Sequence, residues 1–500
     1  RDGWRFEPVP EETYKLQCRG QVLPTSKELI YEIFVEEVWD GPVPTLFADI
    51  LCTVDGLKAF HCHRMGLRLV PDWPLEKIAA LNPASDDSIP VATVDGFKFD
   101  YASLLACAWG KPSKAFGEMY TVFDQTNRVA RLPGPPYHFM SRIPTVDGPI
   151  GGMKAGTVVE VDYDIPEDVW YFDENGHRTM PFCVLLEAAL QPCGWLASYV
   201  GSALTSNDEL FFRNLDGKGT LKVELLPAGG TLRTRSKITS ISQSAGMIIE
   251  SFEVKCFVDD VEVYEMNTVF GFFPHGALAT QKGLDTSAEQ FALLTNPSDF
   301  HVNLKEKPAR YLDGTCRLAN DGSLMLDRIT GAWPEGGEKG LGRYRSEKDI
   351  DQDEWFFKAH FFQDPVQPGS LGIEAMIQLL QVAMLEQGMD AGIESPRFEP
   401  IALDKELSWK YRGQVRPHNK LVQVTLDITE KGLDARGPYA IADASLWVDG
   451  MRIYSADNIG MRIVNDGVAR LKKKEDETLD PEQDTWLNDH WPTWTMPALP

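Results

Sequence analysis

Two long stretches of this 500-residue chain repeat each other. In the first, Met140-Ser141-Arg142-Ile143 leads to Asp168-Val169-Trp170-Tyr171-Phe172, then to Met180-Pro181, Glu187-Ala188 and Gln191. In the second, Met325-Leu326-Asp327-Arg328-Ile329 leads to Asp353-Glu354-Trp355-Phe356-Phe357, then to Gln367-Pro368, Glu374-Ala375 and Gln378. The offset stays at 185–187 residues over some fifty positions. A register held that long marks a duplicated structural unit, so the chain must build one arrangement twice.

A second repeat is split differently. Cys18-Arg19-Gly20-Gln21-Val22-Leu23-Pro24 recurs as Tyr411-Arg412-Gly413-Gln414-Val415-Arg416-Pro417. Each copy runs through strand-like alternation to a turn, Val54-Asp55-Gly56 and Val448-Asp449-Gly450. A looser middle copy runs from Phe212-Arg213-Asn214 to Val258-Asp259-Asp260. The unit therefore has two halves, a leader with a long apolar helix and then several antiparallel strands. Period-two stretches such as Lys420–Leu426 and Met247–Val254 read as the strands. A helix apolar nearly all round, such as Leu371–Leu385, must be covered on most sides. A sheet wrapped around one central helix satisfies both patterns.

The expected map follows. Residues 1–73 hold only the strand half of a unit, and 74–127 form a connecting region rich in Pro, Asp and Ser near its start, at Asn82-Pro83-Ala84-Ser85-Asp86-Asp87. Residues 128–276 and 306–466 are complete units, able to form a pseudo-dimer within one chain, with a linker at 277–305. The tail from 467 is charged, at Lys472–Glu477, and ends in an apolar stretch resembling the leaders of the two units, as if a further unit followed. Arg1 reads as a cut end, which makes the chain a fragment of something longer.

Composition narrows the function. A net charge of −25 argues against a nucleic-acid binder, which needs a basic face. The eight cysteines are scattered without a CxxC pair, as in reduced cytoplasmic proteins. No stretch reaches the roughly 20 uncharged apolar residues of a membrane span. His61-Cys62-His63 sets two histidines on one strand face, half of a metal site. With no third or fourth ligand nearby in sequence, an ordinary strand is expected there. Gly151-Gly152 and Gly229-Gly230 read as turns, since neither opens a phosphate-binding loop. Pro192 should kink or end the first unit's helix.

The chemistry concentrates in His360-Phe361-Phe362-Gln363-Asp364-Pro365-Val366-Gln367-Pro368-Gly369-Ser370-Leu371-Gly372-Ile373-Glu374. A histidine precedes a Pro-Gly turn that opens an apolar helix carrying a single carboxylate. Burying that carboxylate is costly unless it is paired or protonated, so these groups read as parts of one active site. The plainer reading of Glu374 is a buried carboxylate hydrogen-bonded for structure.

The pattern Trp355-Phe356-Phe357-x-x-His360-Phe361-x-x-Asp364-Pro365-Val366-x-Pro368-Gly369-x-Leu371-Gly372 resembles the signature of the 3-hydroxydecanoyl-carrier-protein dehydratase/isomerase family, a hot-dog fold. The 14-residue spacing from His360 to Glu374 matches as well. The tandem arrangement resembles the dehydratase region of polyunsaturated fatty acid synthases, which are polyketide-synthase-like megaenzymes. The family has Asp where this chain has Glu374 and Glu187. In the first unit the register places Asn175 where the histidine belongs and Phe182 where the turn glycine belongs, with His177 nearby but off register.

The resemblance implies an α+β architecture of tandem hot dogs, a double hot-dog pseudo-dimer plus a partial N-terminal one. It also implies sites built across two units. One would join His360 and Gly369 of the second unit to Glu187 of the first. The other, with Glu374 and Asn175, would lack its base and its open turn. The implied activity is dehydration of 3-hydroxyacyl thioesters on an acyl carrier protein, with or without isomerisation, needing no cofactor or metal. The implied partners are that carrier and the other domains of the parent synthase. Arg19 and Arg412 would brace the sheet or pseudo-dimer, or help dock the carrier. Two alternatives stay open: a hot-dog thioesterase, which uses a carboxylate-activated water and needs no histidine in this motif, and a non-catalytic scaffold.

Overall fold

The computed structural model describes residues 4–466 except 40–42, 72, 74, 76–87, 125–128, 207–208 and 228–229. The expected linker start at Asn82–Asp87, the turn glycine Gly229 and the charged tail from 467 lie outside the described residues.

The N-terminal sheet consists of β1 (Trp4–Pro8), β2 (Lys15–Cys18), β3 (Leu29–Trp39), β4 (Thr45–Val54) and β5 (Leu57–Pro71). Its order is β1-β5-β4-β3, with β2 also on β5.

The first complete unit contains β6 (Arg142–Asp147), β7 (Val158–Asp164), β8 (Leu210–Leu221), β9 (Thr231–Ser244), β10 (Met247–Val258) and β11 (Val261–Pro274). The second contains β12 (Val302–Asn303), β13 (Arg328–Trp333), β14 (Arg343–Asp349), β15 (Pro396–Phe398), β16 (Glu406–Tyr411), β17 (Leu421–Asp434), β18 (Gly437–Val448) and β19 (Met451–Asn465). They join in one 14-stranded antiparallel sheet, ordered β12-β13-β14-β17-β18-β19-β16-β8-β11-β10-β9-β7-β6, with β15 on β19. Apart from β12, the two halves of that order mirror each other about the β16–β8 junction, so the duplication in sequence is a pseudo-twofold in space.

The junction is closely fitted. Gly217 faces Trp409, where a Cβ would come within 2.1 Å of the indole. The Trp409 Nε1–H donates to Asn214 Oδ1 at 2.8 Å. Arg412 binds both carboxylate oxygens of Asp216 on the opposing strand and donates to the Leu215 carbonyl. Arg412 thus braces the pseudo-dimer, the first of the roles considered for it.

Besides α1 (Tyr101–Trp109), two long helices fill the units, α2 (Phe182–Tyr199) and α3 (Gly369–Glu386). Every residue of α2 except Gly194 is buried, as is every residue of α3 from Ser370 to Leu385. A surface helix would show a polar stripe. These have no exposed stripe, because each lies between its own sheet and the other helix and their polar residues are buried. The helix at Phe182–Thr205 is long and apolar enough to cross a membrane, but its apolar window is 89% buried within the fold. Nor does Pro192 end α2, which runs on to Tyr199. Burial on all sides holds the helix across the lost backbone hydrogen bond, and the Cys193 thiol donates to the Ala189 carbonyl in the same turn.

The repeated polar residues have a common purpose. Gln191 accepts from the Phe139 N–H and donates to the Tyr137 carbonyl, both at 2.8 Å. Gln378 does the same with the Met325 N–H and the Ser323 carbonyl, both at 2.8 Å. The Trp170 indole donates to the Pro136 carbonyl, and that of Trp355 to the Gly322 carbonyl. Each pair pins an irregular leader to its unit, satisfying backbone groups that no strand partner reaches. Gln378→Leu should therefore orphan two buried backbone groups, at about 1–3 kcal/mol each. A urea midpoint that falls at constant slope would report this; an unmoved midpoint would show that the clamp contributes nothing.

Two segments expected as connectors are built into the fold. In residues 88–124, α1 is capped by Asp100, whose side chain accepts from the Ser103 N–H. Phe99 packs edge-on against Trp195 of α2, and the Tyr120 hydroxyl donates to the Ser198 carbonyl. In 277–305, β12 pairs with β13, and Arg345 holds the Leu293 and Asn296 carbonyls. The Pro-, Asp- and Ser-rich approach to the first suggested a linker, but apolar residues of both segments pack against the core.

Candidate active site

The short helix Trp355–Ala359 ends at His360, whose N–H caps it on the Phe356 carbonyl. The chain then loops so that Val366 engages His360 twice. The Val366 N–H donates to the His360 carbonyl at 2.8 Å, and His360 Nδ1 stands 3.0 Å from the Val366 carbonyl. A carbonyl only accepts, so Nδ1 carries the proton and Nε2 keeps its lone pair. Burial, with Arg213 adding to it, lowers the His360 pKa to about 3 and keeps the ring neutral.

Gly369 is the first residue of α3, where the helix leaves the backbone N–H without an intrahelical acceptor. Its backbone is not in the left-handed region. A Cβ there would meet Tyr411 at an ordinary 3.6 Å. The protein itself does not need glycine at this point, so any need comes from what approaches the N–H.

Glu187 reaches this place from the other unit. It is buried in α2, and the Ser370 hydroxyl at the start of α3 donates to its Oε2 at 2.7 Å. Ser370 in turn contacts the Tyr137 hydroxyl at 2.9 Å, and Gln191 Nε2 lies 3.5 Å from Glu187 Oε1. Burial outweighs these hydrogen bonds and raises the carboxyl pKa to about 7. The pattern is reciprocal: Cys183, the counterpart of Ser370 in α2, contacts Glu374 of α3. Each helix N-terminus thus faces the carboxylate of the other helix.

An open pocket of about 660 Å³ is lined by Glu187, His360, Gly369, Arg213, Tyr411 and Tyr454 among others. The three residues singled out for the first site therefore meet in one cavity between the units.

The second pair meets differently. Asn175 and Glu374 line a smaller cavity of about 290 Å³ together with His177 and Phe182. Asn175 is spent on its own loop, donating to the Thr179 carbonyl at 2.9 Å and accepting from the Gly176 N–H. Phe182 is buried edge-on against Tyr264. His177 Nε2 accepts from the Phe398 N–H at 3.2 Å, and burial lowers its pKa to about 3. Its lone pair at Nε2 is thus directed at backbone. Glu374 accepts from Gln378 at 3.0 Å, and burial raises its pKa.

Two residues of the first site were not singled out from the sequence. Ser370 stands at an unspecified position of the motif, and only the apposition of the helices gives it a role. Arg213 pairs with Asp364 at 2.7 Å, and its guanidinium also donates to Gln414 and to the Phe212 carbonyl. It fastens the His360–Pro368 loop to the first unit. Its signal was the loose repeat Phe212-Arg213-Asn214, which aligns it with Arg412.

The model of a family described as FabA-like domain matches residues 1–63, 132–267 and 318–457. One of the subunits of a polyunsaturated fatty acid synthase from Thraustochytrium sp. (strain ATCC 26185 / S-3) is 29% identical over 430 residues, 77% of this chain and 27% of that protein. The chain thus spans about a quarter of that relative's length. Among solved structures, the dehydratase domain from the CurJ module of curacin polyketide synthase aligns over 65% of this chain and 97% of its own, at 12% identity and a TM-score of 0.40. The dehydratase domain of a mycocerosic acid synthase-like polyketide synthase aligns over 65% and 96%, at 14% identity and a TM-score of 0.37.

Proposed function

Because the chain belongs to the FabA-like domain family, we propose that it removes water from 3-hydroxyacyl thioesters carried on the phosphopantetheine arm of an acyl carrier protein, in fatty acid or polyketide synthesis. The observation that carries this reading is the cavity in which a neutral imidazole, a buried carboxyl and a helix-terminal N–H converge from two units. The carrier and the other parts of a larger synthase are the proposed partners. The name of the Thraustochytrium relative, and its greater length, support this.

The elimination assigns one task to each group. His360 Nε2 takes the C2 proton of the substrate. The electron pair moves toward the thioester carbonyl, and the Gly369 N–H stabilises the charge on its oxygen, helped by the helix dipole. The C3–O bond then breaks as Glu187 supplies a proton to the departing hydroxyl, which leaves as water. Glu187 ends as a carboxylate and His360 protonated, and exchange with solvent resets both. A histidine with so low a pKa is a weak base. The scheme therefore depends on acidification of the C2–H by the polarised thioester. In the second cavity neither Asn175 nor His177 offers a base, so each pair of units is assigned one working site.

The required protonation states fix a pH profile. Glu187 must be protonated, so activity is lost as pH rises through about 7. His360 must be neutral, which holds at every pH above about 3. The expected kcat/KM is level between about pH 5 and 6.5 and falls toward tenfold per unit well above 7. The function itself is tested by giving the chain 3-hydroxyacyl pantetheine thioesters of several lengths and following the loss of one water by mass spectrometry. Release of free acid instead would favour a thioesterase, and no conversion at any length would overturn the assignment.

A further inference from the structure

A separate polar cluster stands on the N-terminal sheet, away from the cavity described above. Strands β4 and β5 pair with a register shift between Ala48 and Ile50, and Arg64 adopts a φ of 54°. This is a β-bulge, a device that re-aims neighbouring side chains. Asp49 Oδ1 accepts from the Arg64 N–H at 2.8 Å. Its Oδ2 lies 3.0 Å from His63 Nδ1 and 3.6 Å from His61 Nε2. The two imidazole rings are 3.7 Å apart at a tilt of 45°. One donor atom from each of the three residues lies within 4.8 Å of the others. The two histidines thus meet a third group that the sequence does not place beside them, because it comes from the neighbouring strand.

We infer that Asp49, His61 and His63 bind one divalent transition-metal ion of the zinc class. A tetrahedral ion with bonds of about 2.0–2.1 Å sets its donors roughly 3.3 Å apart, and the two measured separations bracket that value. Two imidazoles and one carboxylate suit Zn²⁺, Co²⁺, Ni²⁺ or Cu²⁺ far better than Ca²⁺ or Mg²⁺. The three side chains are 24–38% exposed, which leaves room for water to complete the coordination.

The chain contains its own control. In the second unit the corresponding bulge has Asn458 at a φ of 61°, its N–H donating to Asp443 Oδ1 at 2.9 Å. Asp443 repeats the place of Asp49, but Ser455 and Asp457 stand where His61 and His63 stand. The carboxylate is therefore needed to brace the bulge, and the histidines are not. One imidazole N–H can bond Asp49 Oδ2. The second, at 3.6 Å, is too far for a hydrogen bond and is placed as a second ligand would be.

The test uses the full chain stripped of metal with chelator. Calorimetric titration with Zn²⁺ should show one equivalent bound, and His61→Ala and His63→Ala should each weaken it by roughly tenfold or more. Dehydration of the thioester should be unaffected in both. Absence of binding, or equal binding by the double variant, would overturn the assignment. Since either substitution could disturb the strand, Cu²⁺ bound to the unaltered chain supplies a second readout. Its electron paramagnetic resonance should show coupling to two imidazole nitrogens, and coupling to none or one would refute the site.

Discussion

Replacing His360 with alanine is expected to slow water loss from a 3-hydroxyacyl thioester by about 10²–10⁴-fold. The loss should appear in kcat, because the imidazole acts on a proton that moves only in the transition state. His360 is the one histidine among the described residues lining the cavity. Its Nδ1 is committed to the Val366 carbonyl, so Nε2 alone can accept the C2 proton. The substitution also strips the Val366 carbonyl of its side-chain partner, and a small fall in the unfolding midpoint is expected. That fall separates damage to the loop from loss of the base. A variant that keeps its rate within about twofold would remove His360 from the chemistry.

The second large effect belongs to Glu187→Gln. Glutamine matches glutamate in shape and can still accept from the Ser370 hydroxyl, so the helix contact survives. It cannot deliver a proton to a leaving hydroxyl, and a fall of about 10²–10³-fold in kcat is expected. A second signature distinguishes this from a packing defect. The decline expected above about pH 7 is assigned to Glu187, and the residual rate of the variant should lack it. If the decline persists at the same pH, another group carries the proton.

Much of the architecture was legible because repetition is a strong signal. Two copies of Trp, Pro, Glu and Gln at offsets of 185–187 residues anticipated two leaders, each followed by a long buried helix. That Trp170, Trp355, Gln191 and Gln378 clamp those leaders in place follows only from the fold. Groups that act across the pseudo-twofold were harder to read. Ser370 bonds to Glu187, 183 residues away in the chain, and that contact follows only from how the helices meet. Asp49 joins His61 and His63 through strand pairing and a bulge, which local spacing does not reveal. Residues 88–124 looked like a connector because Pro, Asp and Ser crowd the approach to them. The apolar run Tyr101–Trp109, with Asp100 ahead of it as a cap, was the contrary sign. The exposure of β3 follows from the same logic. Its apolar residues Leu29, Ile30, Tyr31, Ile33 and Phe34 lie open on a sheet that has no long helix of its own among the described residues.

In the proposed mechanism one site is assembled from both units, the imidazole from the second and the acid from the first. The most direct measurement compares water loss by Glu187→Gln and Glu374→Gln side by side, on the same thioester and at the same pH. Glu187→Gln is expected to be slowed by about 10²–10³-fold while Glu374→Gln keeps most of the wild-type rate. Loss of activity in Glu374→Gln alone would contradict that mechanism, since His360 would then be working with the carboxylate of its own unit.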